Sequence, residues 1–288
     1  MSSGPMGRRA KRVAHATSYA VGRTTQSWRL LPSLLIAGGQ RCGTTSMYRA
    51  LAQHPAMIKP VLRKGIHYFD VDYRADLRHY RAHFPLARTG RTSAARVGAR
   101  PVAFESSPYY LWHPLAAERI AADLPGAKVL VLVRDPVERA YSAHAHELAR
   151  GYENRDFETA LELEDARLAG EEERIRRDPD VESHAHRHQA YVRRGQYAEQ
   201  LEALAAHVGS ENVLVVDSHD FFSDPAPVYT RVLDHLGLPE WPRVTFEQHN
   251  ARHRLPLDAS TRARLEAHFE SHDRRLEPWL GAAPSWRR

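Results

Sequence analysis

A glycine-rich turn between a short apolar run and a helical pattern constrains this chain more than any other feature. Residues 34–37 are apolar and of strand length, Gly38 and Gly39 follow, and residues 44–53 have helical spacing before Pro55. A strand that enters a helix through glycines directs backbone N–H groups and the positive end of the helix dipole to one point. The segment therefore predicts an anion site.

The same order of strand, turn and helix recurs along the chain. Residues 129–133 form a valine-rich run that ends at Arg134, and helix-compatible residues continue to about Arg150. Helical periodicity over residues 197–208 precedes a third apolar run at 213–216. Continuous apolar strands are typical of parallel sheets covered on both faces. We therefore predict a P-loop-like, three-layer α/β fold with a central, mainly parallel sheet flanked by helices.

Other segments carry weaker patterns. Residues 64–70 and 102–105 are rich in aromatic or β-branched side chains and are predicted to be extended. Asp258 or Ser260 is predicted to cap a last helix, which Gly281 follows.

The excess positive charge of the chain lies at its N-terminus. The 288 residues carry 41 Lys+Arg and 35 Asp+Glu, for a net charge of +6. Residues 1–30 hold six of the basic side chains and no acidic one, so the remaining 35 of each sign balance. A nucleic-acid partner is therefore not predicted. Residues 1–30 are predicted to be a disordered leader with too little apolar surface to pack, and residues 31–288 a single domain.

The single cysteine, Cys42, excludes an intramolecular disulfide and favours a reducing compartment. The sequence has neither the cysteine and histidine spacing of a zinc site nor the apolar core of a secretion signal, and nowhere do eighteen apolar residues run together. We expect a cytoplasmic protein with no transmembrane segment and no metal. The sequence predicts no oligomeric state.

The glycine-rich turn has the spacing of a P-loop with a changed cation. Gly38 and Gly43 bracket four residues, but Thr44 stands where nucleoside triphosphatases carry lysine, and Arg41 supplies a cation instead. The missing lysine argues against a kinase or ATPase, while Thr45 still offers a hydroxyl donor. A glycine turn without a ligand is the alternative.

This turn and a later segment together resemble the sulfotransferases that use 3'-phosphoadenosine 5'-phosphosulfate (PAPS). Residues 134–142 read Arg-Asp-Pro-Val-Glu-Arg-Ala-Tyr-Ser, like the family segment whose first arginine and a serine eight residues later grip the 3'-phosphate. Without the turn, the segment would be read as a capped helix with a surface Arg-Asp pair. The resemblance implies PAPS as cosubstrate and the desulfated nucleotide PAP as product. It implies a nucleotide site made of Gly39, Gln40, Arg41, Cys42, Gly43, Thr44, Thr45, Ser46, Arg134 and Ser142.

A late basic segment, residues 249–256, resembles the family loop that closes over the nucleotide, without the lysine-glycine form of the heparan enzymes. Arg252 or Arg254 is predicted to touch the 3'-phosphate, and a solvated basic loop is the alternative. The resemblance runs from about Leu34 to Gly281.

Sulfuryl transfer requires charge stabilisation on the leaving phosphate and removal of a proton from the acceptor. Arg41 fits the first task, since a guanidinium stays charged and binds oxyanions through two donors. Residues 63–70, Arg-Lys-Gly-Ile-His-Tyr-Phe-Asp, resemble the Lys-Glu-x-His-Phe-Phe-Asp stretch of heparan-type enzymes. Gly65 replaces the glutamate thought to act there as base, so that role does not carry over.

His67 is the predicted base, because it would face the same side as position 65 if the segment were extended. A hydrogen bond within the fold is its alternative role. Lys64 is predicted to reach the sulfuryl oxygens, Asp70 to orient His67 or Lys64, and Glu105 is the rival base. Five aromatic residues either line an acceptor cleft or belong to the core: Tyr68, Phe69, Tyr109, Tyr110 and Trp112.

The sequence thus predicts an enzyme that transfers a sulfuryl group from PAPS to a hydroxyl or amine of a small-molecule, glycolipid or carbohydrate-like acceptor. A P-loop kinase and a noncatalytic binder of nucleotides or polyanions remain as alternatives.

Overall fold

Five parallel strands form one sheet in the order β2-β3-β1-β4-β5. This computed structural model describes residues 17–74, 76–247 and 256–288. The strands are β1 (Leu34–Gly38), β2 (Met57–Ile58), β3 (Val102–Ser106), β4 (Lys128–Val133) and β5 (Val213–Asp217). The central strand β1 pairs with β3 on one side and with β4 on the other. The predicted α/β fold with a parallel sheet is confirmed.

Helices flank this sheet. They are α1 (17–24), α2 (Thr44–Leu51), α3 (Leu77–Arg81), α4 (Ala87–Ala94), α5 (Ala116–Asp123), α6 (Pro136–Arg150), α7 (Phe157–Leu168), α8 (Glu171–Arg177), α9 (His184–His188), α10 (Tyr197–Val208), α11 (Ser218–Ser223), α12 (Pro225–His235), α13 (Ala259–Arg274) and α14 (Glu277–Leu280). Short 3-10 turns span Gln26–Trp28, Ala95–Val97, Arg193–Gly195, Ser210–Asn212 and Ser285–Arg287. None of the helices in the described ranges is long and apolar enough to cross a membrane.

The apolar runs of β1 and β4 are buried on both faces, which explains why they show no alternation. Their register shifts between Ile36 and Gly38, where the N–H of Gly39 donates to the carbonyl of Leu132 at 2.6 Å. After β3 the chain crosses β1 to form β4, so the strand order reverses at β1. Ligands of open α/β sheets bind at the carboxyl edge beside such a reversal.

Aspartates cap α6 and α13. Asp135 accepts hydrogen bonds from the N–H groups of Val137 and Glu138 at the start of α6, with Pro136 in the first turn. Asp258, one of the two predicted caps, begins α13. That helix ends at Arg274, so Gly281 ends the separate short helix α14.

The prediction that residues 64–70 are extended is wrong. Residues 64–67 are irregular and 68–70 form a turn, whose start is marked by a φ of 60° at His67. The carbonyl of His67 accepts hydrogen bonds from the N–H groups of Val71 and Asp72. These local bonds replace a strand ladder, and the argument that His67 faces the same side as Gly65 by alternation no longer holds.

Residues 17–30 also differ from the prediction of a disordered leader. Gly22 in α1 lies so close to the carbonyl of Ala82 that any larger side chain would collide with it. Arg29 is buried, and its guanidinium donates to the carbonyls of Ala82 and Phe84. A glycine contact and a buried arginine thus supply the packing for which the segment lacks apolar residues. The rest of the predicted leader lies outside the described residues.

Candidate active site

The glycine-rich turn lies at the carboxyl end of β1 and leads into α2. Gly43 immediately precedes the helix with a φ of 83°, a conformation that glycine adopts without strain. Arg41 has a φ of 70° although it carries a side chain. Cys42 is fully buried; its Sγ lies 3.5 Å from the hydroxyl of Tyr197, and burial raises the pKa of its thiol. Cys42 therefore contributes packing, with its side chain away from solvent.

The two phosphate motifs meet in space. The Nε of Arg41, in the turn, donates to the Oγ of Ser142, in α6, at 3.1 Å. Arg134 directly follows β4, and its carbonyl accepts a hydrogen bond from Tyr197 at 2.9 Å. The guanidinium of Arg134 lies 3.6 Å from Glu138. Arginines from the ends of two adjacent strands thus share one edge of the sheet.

Lys64 adds a second cation to the turn. Its Nζ donates to the Oγ1 of Thr45 at 3.1 Å and of Thr44 at 3.3 Å. Burial lowers the pKa of Lys64 to about 8, against the opposing charge of Glu105. The turn itself has no lysine, but Lys64 from the irregular residues 64–67 places its ammonium group against the turn.

His67 is held by a carboxylate and keeps one ring nitrogen free within the described chain. Its Nδ1 lies 2.8 Å from Asp70, and its backbone N–H donates to Ser107 at 3.1 Å. The side chain is 36% exposed, and Nε2 has no hydrogen-bond partner among the residues that the structure describes. Burial acts to lower the pKa of His67, but the hydrogen bond and charge of Asp70 outweigh it, so the pKa is raised.

Glu105 lies beneath this segment, at the end of β3, with 0% exposure. One carboxylate oxygen accepts from Ser107 at 2.8 Å and from the N–H of Ile66 at 3.3 Å, and the other accepts from Tyr80 at 3.3 Å. Burial raises the pKa of Glu105, although these hydrogen bonds act against it. Both oxygens are engaged inside the fold.

A polar network that the sequence analysis missed lies behind the turn. Gln40 donates to Glu147 at 3.0 Å and accepts from Arg194 at 2.9 Å. Glu147 also lies 3.0 Å from His188. Arg194 is only 5% exposed; burial, reinforced by the charge of buried Arg139, lowers its pKa to about 10. The one sequence feature that could have indicated this network is the pair Arg194-Gly195, which directly precedes the periodic helix α10.

The aromatic candidates divide between the core and a pair that contacts His186. Tyr68, Phe69 and Tyr110 are buried in the core. Tyr109 bonds to His186 at 2.8 Å, and the ring of Trp112 stacks on the same histidine. Arg252 and Arg254 lie outside the described residues.

Comparison with known proteins bears on this arrangement. Residues 32–243 match the sulfotransferase family, which covers well over half of the chain. The chain belongs to that family. The resemblance drawn from the two phosphate motifs is thus confirmed.

The chain is similar to several named sulfotransferases. It is 28% identical over 221 residues to bifunctional heparan sulfate N-deacetylase/N-sulfotransferase 1 of Caenorhabditis elegans, covering 75% of this chain and 23% of that protein. It is 28% identical over 226 residues to human heparan sulfate glucosamine 3-O-sulfotransferase 6, covering 77% and 56%. The chain spans between about a quarter and about half of these relatives. A crystal structure of a sulfotransferase from Alicyclobacillus acidocaldarius aligns with a TM-score of 0.65 and 28% identity, over 90% of this chain and 100% of that one.

Proposed function

We propose that this protein transfers a sulfuryl group from PAPS to a hydroxyl or amine of a small-molecule, glycolipid or carbohydrate-like acceptor. The observation that carries the proposal is the 3.1 Å bond between Arg41 and Ser142, which joins the turn suited to a 5'-phosphosulfate with the segment suited to a 3'-phosphate. The names of the heparan sulfate relatives favour a carbohydrate acceptor. We propose a cytoplasmic location on the basis of the single, buried cysteine.

In this reaction the acceptor atom attacks sulfur, the bond from sulfur to the bridging oxygen breaks, and its electron pair stays on the 5'-phosphate of PAP. Arg41 and Lys64 lie at the turn where that negative charge develops, and both carry positive charge at neutral pH. Arg134 is assigned to the 3'-phosphate, which separates PAPS from nucleotides that lack this group.

His67 is assigned as the base that takes the proton of the acceptor. Its Nε2 is open within the described chain, and Asp70 fixes the other ring nitrogen, as in catalytic carboxylate-histidine pairs. Glu105 is assigned a positioning role instead of the rival role of base, because both its oxygens are engaged inside the fold and one of them accepts from the N–H of Ile66, next to His67.

The test is transfer of labelled sulfate from PAPS into a cell extract, with mass analysis of the product. Arg134→Ala is expected to abolish discrimination for the 3'-phosphate, whereas Arg41→Ala is expected to lower turnover more than nucleotide affinity. The opposite pattern would contradict the role assignment. Binding of PAPS without turnover across an acceptor panel would support the noncatalytic alternative.

A further inference from the structure

Apolar side chains are exposed mainly on one region of the molecule. Seven large apolar residues are exposed in the described part of the chain, and five of them belong to its first third: Val21, Trp28, Val61, Leu62 and Leu86. The indole of Trp28 is the most open, at 69% exposure. A group of exposed apolar side chains marks an interaction surface more often than isolated ones do.

Backbone contacts join the segments that carry these residues. Arg29 forms an antiparallel bridge with Leu86, which places Trp28 beside the start of α4. The N–H of Val61 donates to the carbonyl of His83 at 3.0 Å, and the ring of Tyr19 in α1 stacks on His83. Residues 17–30, 61–63 and 79–96 thus form one surface, which we call the N-terminal face.

The same face is strongly basic. Residues 79–96 contain no Asp, Glu or Lys and four arginines: Arg81, Arg88, Arg91 and Arg96. Arg88 and Arg91 on α4 and Arg96 just after it are exposed, and none forms an ion pair with a described residue. Asp72 lies beside Tyr19, Leu62 and His83, so the excess positive charge of the face is concentrated on α4 and at Arg96.

A lipid surface satisfies both features at once. Tryptophan prefers the boundary between headgroups and acyl chains, and arginines are attracted to anionic headgroups. A soluble polyanion would engage the arginines but would leave Val21, Trp28 and Leu86 in water. We propose that the N-terminal face docks on an anionic lipid bilayer.

Docking would bring the proposed active site to the membrane. Leu62 precedes Lys64 by two residues, and two residues span at most about 7 Å. The face therefore ends next to the segment that carries Lys64 and His67. A membrane-anchored or amphipathic acceptor is the substrate class that fits this arrangement. This acceptor class rests on the proposed sulfuryl transfer, whereas the docking itself does not.

The test is co-sedimentation of the full-length protein with phosphatidylcholine vesicles, with and without phosphatidylglycerol. We expect binding only to the anionic vesicles, with weakening as salt is added. Neutralising two arginines in R88Q/R91Q should weaken binding about thirty-fold, which corresponds to about 1 kcal/mol for each charge. Trp28→Ser should weaken it about tenfold, since an inserted indole returns to water.

Matched controls are Leu148→Ser and Arg177→Gln, which change exposed residues of α6 and α8 outside the N-terminal face. Both should bind vesicles like the parent protein. All the substituted side chains are exposed, so thermal melts should stay unchanged. Failure to sediment with anionic vesicles, or sedimentation that no N-terminal-face variant alters, overturns the proposal. If the vesicles are not bound, two results would identify another occupant of the N-terminal face and overturn membrane docking. One is binding to soluble dextran sulfate, and the other is a dimer that depends on Trp28. Sulfuryl transfer to a soluble acceptor is measured in parallel, so loss of docking and loss of catalysis are distinguished.

Discussion

At the scale of single residues, backbone strain coincides with the chemistry assigned to the site. Arg41 and His67 are the two residues other than glycine that have a positive φ in the described chain. Such conformations cost about 1–3 kcal/mol and persist where the surrounding structure determines them. Ser142 holds the side chain of Arg41, while Asp70 and Ser107 hold His67. Both residues were candidates from the sequence, but each is also held by a serine that is distant in sequence, Ser142 for Arg41 and Ser107 for His67.

Asp70→Asn is expected to shift the acid limb of the pH dependence of kcat/KM to lower pH by about one unit. Asp70 raises the pKa of His67, and the neutral imidazole is the active base above that pKa. Removing the carboxylate lowers the pKa, so the base stays neutral at lower pH. Asp72→Asn, in the same turn, is the control. An acid limb that Asp70→Asn leaves in place would rule out His67 as the base.

Affinity for PAP is expected to fall as pH rises through about 8. Lys64, whose pKa is about 8, carries its charge below that pH and must take up a proton to bind an anion above it. Linkage then weakens binding by up to about tenfold per pH unit. Calorimetry at a series of pH values measures the effect. Lys64→Arg should flatten the profile because a guanidinium stays charged; an unchanged slope would contradict the assignment.

Arg194→Gln is expected to lower turnover and PAP affinity about tenfold, the scale of one lost hydrogen bond to a charged group. The change removes the donor that fixes Gln40 in the turn. Arg193→Gln is the matched control, since Arg193 is adjacent to Arg194 but is exposed and pairs with Asp165. Steady-state kinetics and PAP titration compare the two variants. Equal effects would show that Arg194 has no special role.

At the scale of elements, the parts whose pattern is local were predictable. The strands β1, β4 and β5 and the helix α10 follow from continuous apolar runs and a clear period. The segment at residues 64–70 was not, because its shape comes from Glu105 and Ser107, which are distant in sequence. Likewise, α1 packs through the contact of Gly22 with Ala82, which produces no periodic pattern of apolar residues in the sequence.

Restoring the family glutamate at position 65 is expected to destabilise the protein. A Cβ on Gly65 would collide with the backbone carbonyl of Ser106, which cannot move as a flexible side chain would. Gly65→Glu should cost about 1–3 kcal/mol of unfolding free energy, measured by urea denaturation. Gly98→Ala meets no atom within 4 Å and should cost less, although its φ is positive. A fully stable and more active Gly65→Glu would contradict this account.

At the scale of the whole molecule, ligand binding should stabilise the entire fold. PAP at a hundredfold excess over its Kd should add about 2.7 kcal/mol, which corresponds to a rise in Tm of about 4–5 °C for a protein of this size. In the proposed function, the nucleotide contacts the residues that follow β1 and β4 and the helices that begin there. Its binding should therefore stabilise the centre of the sheet. A larger shift with magnesium and ATP than with PAP would favour the kinase alternative.

The bond between Arg41 and Ser142 couples the two phosphate segments through a single side-chain contact. A guanidinium has five N–H donors, and a hydroxyl has one donor and two acceptor sites, so each side chain can contact a phosphate while it holds the other. Each phosphate of the nucleotide would then order a side chain that touches its counterpart, so a molecule that bears both phosphates should bind more tightly than its separate fragments suggest.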